Sequence, residues 1–150
     1  MKALILLLGM SLALTRLAAH EHHPPHQGSL QVFGKEFAHL ELVLDAKTGR
    51  LTAYALDGEA EKPERLTQKA MSFTITQCVP ARPAFTLRLK AVANPLTGET
   101  LGDSSQFQGQ AHALVGVSSF EGSAGPVTIR GVRFKSNRLR HPAGNEDGED

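Results

Sequence analysis

Phe37-Ala38-His39-Leu40-Glu41-Leu42-Val43-Leu44-Asp45, running into Ala46-Lys47-Thr48-Gly49, decides the fold. Ala38, Leu40, Leu42 and Leu44 fall on one side of an extended chain, and His39, Glu41 and Val43 on the other. A period of two is that of a half-buried strand, not of a helix. Asp45–Gly49 is a hairpin-type loop, with Gly where a positive φ is needed. Leu51–Leu56 forms the returning strand, and Asp57-Gly58 ends it.

The same alternation recurs on both sides of this hairpin. Leu30–Phe33 is a short strand ahead of a turn at Gly34. Glu59–Gln68 is charged, carries Pro63 and reads as a connection. Met71, Phe73 and Ile75 alternate with Ser72, Thr74 and Thr76. Phe85, Leu87, Leu89 and Ala91 alternate with Thr86, Arg88 and Lys90, the clearest one-sided strand in the chain. Leu101–Gln110 is polar, with Phe107 as an anchor, and Ala111–Val117 fits a strand or a short helix. Val127–Arg130 and Val132–Ser136 read as a last strand, bent at a bulge on Gly131. Short strands with frequent turns and no long amphipathic helix predict a small all-β domain, a sandwich or barrel of about six to eight antiparallel strands. Its predicted extent is residues 29–136. Residues 137–150, ending in Glu146, Asp147, Glu149 and Asp150, are predicted to be a disordered acidic tail.

The chain has 150 residues, a net charge of +1, one Cys and no Trp. That balance gives no basic surface for nucleic acid, and one cysteine makes neither an internal disulfide nor a thiolate cluster. Residues 1–19 have the layout of a secretory signal peptide: Met1-Lys2, an apolar run over Ala3–Leu14, then Ala18 and Ala19 at the expected cleavage point. The run is too short to span a bilayer as a helix, so no membrane span is expected after cleavage at Ala18 or Ala19. The protein is thereby predicted to be periplasmic or secreted. No Cys lies near the cut for a lipid anchor.

Chemistry concentrates in histidine. His20, His22, His23 and His26 crowd a Pro-containing stretch, residues 20–28, that reads as a flexible arm. Neutral imidazole suits Cu(II), Ni(II) and Zn(II). Cleavage after Ala19 would start the chain His20-Glu21-His22, in which the free amine, two amides and the third-residue imidazole make a square-planar nitrogen set. His39 and Glu41 share a strand face, where they either ligate together or form a solvent-facing polar pair. Cys78 reads as a buried thiol, with an intermolecular disulfide or a soft-metal role as alternatives. Ser104-Ser105 and Ser118-Ser119 lack a nucleophile elbow, no phosphate loop is present, and the chain is not expected to be an enzyme.

Residues 37–58, with Asp103-Ser104-Ser105-Gln106-Phe107 and the strands around Val127–Lys135, resemble a family of small exported bacterial β domains. These carry a His-x-Glu-Leu-Val strand, occur alone or in the periplasmic part of heavy-metal efflux adaptor proteins, and often begin His-Gly-Gly, where this chain has His26-Gln27-Gly28. The resemblance implies a periplasmic β domain linked to metal handling, with an efflux-system or envelope protein as partner. The expected function is metal binding or buffering through His20, His22, His23, His26, His39 and Glu41. The rival expectation is a non-catalytic module that binds a cell-envelope protein.

Overall fold

The computed structural model describes residues 22–145. The expected leader, His20 and residues 146–150 lie outside the described residues. Ten strands run in order: β1 Ser29–Phe33, β2 Ala38–Asp45, β3 Arg50–Leu56, β4 Ala70–Val79, β5 Phe85–Ala91, β6 Gln106–Gln110, β7 Ser119–Ala124, β8 Val127–Ile129, β9 Val132–Phe134 and β10 Asn137–His141. Eight of them form one antiparallel sheet in the order β1-β2-β3-β6-β5-β4-β7-β10, while β8 and β9 pair separately. The sheet curls into a nearly closed barrel, as the all-β reading requires. Among the described residues no helix is long and apolar enough to cross a membrane.

The period-2 reading sorts the inner face correctly. Ala38, Leu40 and Leu42 of β2 meet Leu51 and Ala53 of β3 and Met71, Phe73 and Ile75 of β4 in one core. Phe33, Phe73, Phe107 and Phe120 are fully buried there. Each large apolar side chain removed from water contributes roughly 1.5–3 kcal/mol. The stretch 111–117 resolves to a single 3-10 turn, His112–Leu114, tied to the β2–β3 loop through Gly116 N–H to the Ala46 carbonyl at 2.8 Å.

Two expectations need correction. Gly131 is not a bulge: Arg130 and Gly131, at φ 46° and 77°, are the turn of a β8–β9 hairpin, the conformation that two-residue hairpins favour. That hairpin adds Val127 and Ile129 to the barrel core, and Phe134 packs edge-on to Phe33. The carboxy-terminal stretch is not disordered from residue 137. Residues 137–141 are β10, paired with β7 from Asn137↔Ala124 to His141↔Phe120, and Leu139 is buried. The domain runs to at least Asn145.

The barrel closes between β1 and β10 through side chains. The buried Gln31 amide accepts from Arg140 N–H at 2.9 Å and donates to the Arg140 carbonyl at 2.8 Å. The Asn145 amide repeats the pattern on the other strand, accepting from Val32 N–H at 2.6 Å and donating to the Val32 carbonyl at 3.2 Å. Asn137 Nδ2 also donates to that carbonyl, at 2.8 Å. Each amide copies the donor–acceptor pair of a missing strand, so buried backbone groups stay satisfied. Gln31→Leu is expected to lower unfolding free energy by about 1–3 kcal/mol, because it removes both hydrogen bonds from the Gln31 amide to the Arg140 backbone, while the Arg140 carbonyl keeps the N–H of Gly144 at 2.9 Å. Urea denaturation reads this directly, and an unchanged midpoint would exclude Gln31 as the closure.

Candidate metal site on the outer face of β2

The outer face of β2 carries His39 and Glu41. Neither is solvent-facing: both are 0% exposed. The cover is the segment 22–28, which lies against the barrel instead of extending as an arm. Glu41 holds it. One carboxylate oxygen accepts from the N–H of His26 at 2.7 Å and of Gly28 at 2.8 Å, and the other accepts from His26 Nδ1 at 2.7 Å. Gln27 sits between those two N–H groups at φ 59°, a left-handed turn that aims alternate amides at one anion. Gly28 cannot be replaced cheaply, since a Cβ there would lie 2.5 Å from the Leu42 carbonyl oxygen and 2.8 Å from Glu41 Cγ. The His26 ring stacks on Tyr54, at 3.6 Å between centroids and 5° between planes. Tyr54 pairs directly with Glu41 across β2 and β3. Burial raises the pKa of the Tyr54 hydroxyl, and the Glu41 charge adds to the shift.

The second group is His22 with His39, whose ring centroids are 5.1 Å apart. His39 Nδ1 lies 3.0 Å from the Asp57 carbonyl oxygen, and His22 Nδ1 lies 3.0 Å from that of Glu59. A carbonyl only accepts, so each Nδ1 carries its proton and each Nε2 presents a lone pair in the neutral ring. Both Nε2 atoms are buried without a hydrogen-bond partner among the described residues. Glu36 Oε1 lies 3.6 Å from His22 Nε2, within ion-pair reach but too far for a hydrogen bond.

One turn supplies both carbonyls. Asp57 Oδ1 accepts from the N–H groups of Glu61 and Lys62 at 3.0 and 3.2 Å, folding residues 57–62 back under the imidazoles. Partial burial works to raise the Asp57 carboxyl pKa, but the N–H groups of Glu61, Lys62 and Glu59 outweigh it and hold the group below the ordinary carboxylate range. The turn packs closely on the β1–β2 loop, where a Cβ on Gly58 would meet the Glu36 carbonyl oxygen at 2.5 Å.

The six expected ligands therefore divide. His22 and His39 come together with their Nε2 atoms unengaged. His26 and Glu41 engage each other and form the latch of the segment. His23 is exposed beside them, and His20 lies outside the described residues. Among the described residues, no group of three or more His, Cys, Asp or Glu side chains is placed to hold a metal ion as it stands. The square-planar set at the amino terminus would need His22 Nδ1, the ring nitrogen nearest its own backbone. In the docked segment that atom is bound to Glu59. Glu36 was missed by the sequence reading: only its place in the Gly34–Phe37 turn hints at a constrained position, and the structure holds it at φ 52°.

A separate concavity of about 300 Å³ lies at the barrel end formed by β4, β7 and β10, lined by Cys78, Phe120 and His141 among others. Burial pushes the Cys78 thiol up, against the opposing charge of Arg82, which matches a structural thiol. His141 stacks on Phe120 and meets the Ser29 hydroxyl at 3.0 Å. Comparisons with family models, with curated proteins and with solved structures give no match to this chain.

Glu41→Ala is expected to free the segment. Hydrogen exchange at the His26 and Gly28 amides should then lose its protection, and stability should fall by about 1–3 kcal/mol; amides as protected as in the parent would show that the carboxylate is not the latch. His141 gives a pH dependence. Burial lowers its pKa below the 6.5 of an open ring, so the unfolded chain binds the proton first. This contribution to stability is complete above pH 6.5 and is lost as pH falls through the lower folded value. His141→Gln should flatten that part of the stability–pH curve, measured by denaturation at a series of pH values.

Proposed function

We propose that the protein is an exported metal-binding accessory protein that holds a first-row divalent ion between its amino-terminal segment and its barrel. One observation carries the reading: two adjacent imidazoles are buried with their Nδ1–H groups fixed by backbone carbonyls and their Nε2 lone pairs unpaired. A buried polar atom without a partner costs about 1–3 kcal/mol, and a metal ion relieves two such atoms at once. Metal-ligating histidines characteristically donate their other ring N–H to a carbonyl or carboxylate, which fixes tautomer and orientation. The leader-like first 19 residues support export, and the resemblance to periplasmic β domains of metal efflux supports the assignment. The recipient of the ion on this reading is an efflux system of the cell envelope.

The reading needs no catalysis. It assigns Glu41 and His26 the task of docking the segment, and Asp57 that of aiming carbonyls at the ligands. Titration calorimetry of the chain beginning at His20 with Zn(II), Cu(II) and Ni(II) is expected to give one tight site for at least one ion. Removing residues 20–26 should abolish that stoichiometric binding while the barrel stays folded. Equal, weak binding by both chains would overturn the proposal.

A further inference from the structure

We infer that the ion is tetrahedral, of the Zn(II) class, and that Glu36 is its third protein ligand. The inference rests on the metal-binding reading above and adds the identity of the site.

Geometry separates the candidate ions. An ion bound at about 2.0–2.1 Å to Nε2 along the ring axis lies about 3.2 Å from the ring centroid. For centroids 5.1 Å apart, one ion shared by both rings then subtends an N–metal–N angle of about 105–110°. A linear arrangement would need centroids more than about 6 Å apart, and a cis square-planar one about 4.5 Å. With both Nε2 axes meeting at one ion, the 5.1 Å separation corresponds to the tetrahedral value.

Glu36 fits the same ion. Two ligand atoms of a tetrahedral site with bonds near 2.0–2.1 Å lie about 3.3–3.4 Å apart. The 3.6 Å between Glu36 Oε1 and His22 Nε2 is close to that spacing, whereas the carboxylate lies outside ion-pair distance of the His39 ring and must turn toward it to complete the set. The Glu36 side chain is 64% exposed, so it can swing onto the ion without unpacking the barrel. Its backbone is already held at φ 52° in the tight β1–β2 turn, a conformation that non-glycine residues adopt at some cost. Two imidazoles and a carboxylate are a recurrent Zn(II) donor set, with the fourth position left for solvent or a further ligand.

The three residues also come from separate parts of the chain. His22 belongs to the docked segment, Glu36 to the β1–β2 turn and His39 to β2. An ion among them fastens the segment to the barrel at a second point beyond the Glu41 latch. Ion binding and docking are then linked, and each strengthens the other.

Co(II) substitution tests this directly on the chain beginning at His20, because tetrahedral and six-coordinate Co(II) differ strongly in visible absorption. The expected result is an intense tetrahedral spectrum, bleached by one equivalent of Zn(II). Glu36→Gln, at an exposed position, should lower Zn(II) affinity about 10-fold, and His39→Gln at least 100-fold. His23→Ala, and one extra residue placed ahead of His20 to block the amino-terminal chelate, should each leave it unchanged. A weak six-coordinate spectrum, or Zn(II) affinity indifferent to Glu36→Gln, would overturn this inference and leave the general metal-binding reading standing. Binding of none of the three ions or Co(II) would overturn both. The Co(II) spectrum of the unsubstituted chain decides even where His39→Gln fails to fold.

Discussion

A carboxylate with no access to water must find its donors inside the protein, and at Glu41 this requirement organises one side of the molecule. The strand β2 is buried on both faces, yet only its inner face is apolar. The outer face is covered by a polar segment that brings two backbone N–H groups and an imidazole to the charge. Without that charge, the segment would be left with the His26–Tyr54 stack and the His22 contact to the Glu59 carbonyl, since its prolines are its only apolar side chains. With it, the segment is positioned closely enough for His22 to meet His39.

The docking has a second consequence for the imidazoles. They are buried by a cover that is itself held electrostatically, so the pair sits at a boundary between two pieces of chain and not within one. A site of that kind is assembled by folding but remains next to the surface through Glu36. It differs from the barrel core, where Phe73, Phe107 and Phe120 leave no polar atom to engage.

The strands whose inward positions are all apolar were legible. Phe85–Ala91 was read with its observed limits, and Ala38, Leu40 and Leu42 were placed on the correct face. The strands β7 and β10, at one end of the sheet order, were not. In β7 only Phe120 and Ala124 are apolar, with Gly122 between them, and in β10 Leu139 is flanked by Arg, Asn and His, so neither shows an apolar period. Their pairing is secured by amides and backbone, which leave little trace in hydropathy. The candidate site was half legible for the same reason. The residue types in the His-rich stretch pointed to metal chemistry, but alternation placed His39 and Glu41 only on the polar face of β2 and left ligation and solvent exposure both open. Nothing in periodicity can report that a polar segment folds back over a polar face. The division of labour between His22–His39 and His26–Glu41 emerged only from which ring nitrogen meets a carbonyl and which meets a carboxylate.

The seam between β1 and β10 bears on the order in which the molecule can be made. Its bonds join Gln31 to Arg140 and Val32 to Asn145, pairs separated by 109 and 113 positions. A chain that emerges amino-terminus first, from a ribosome or a translocation pore, presents β1 long before its closing partners. Until residue 145 is out, β1 has one unpaired edge and the barrel is an open sheet. Long-range closure of this kind is slow, and the exposed edge is open to mispairing meanwhile. Emergence of residues 137–145, not the growth of any local element, is therefore the event that shuts the barrel.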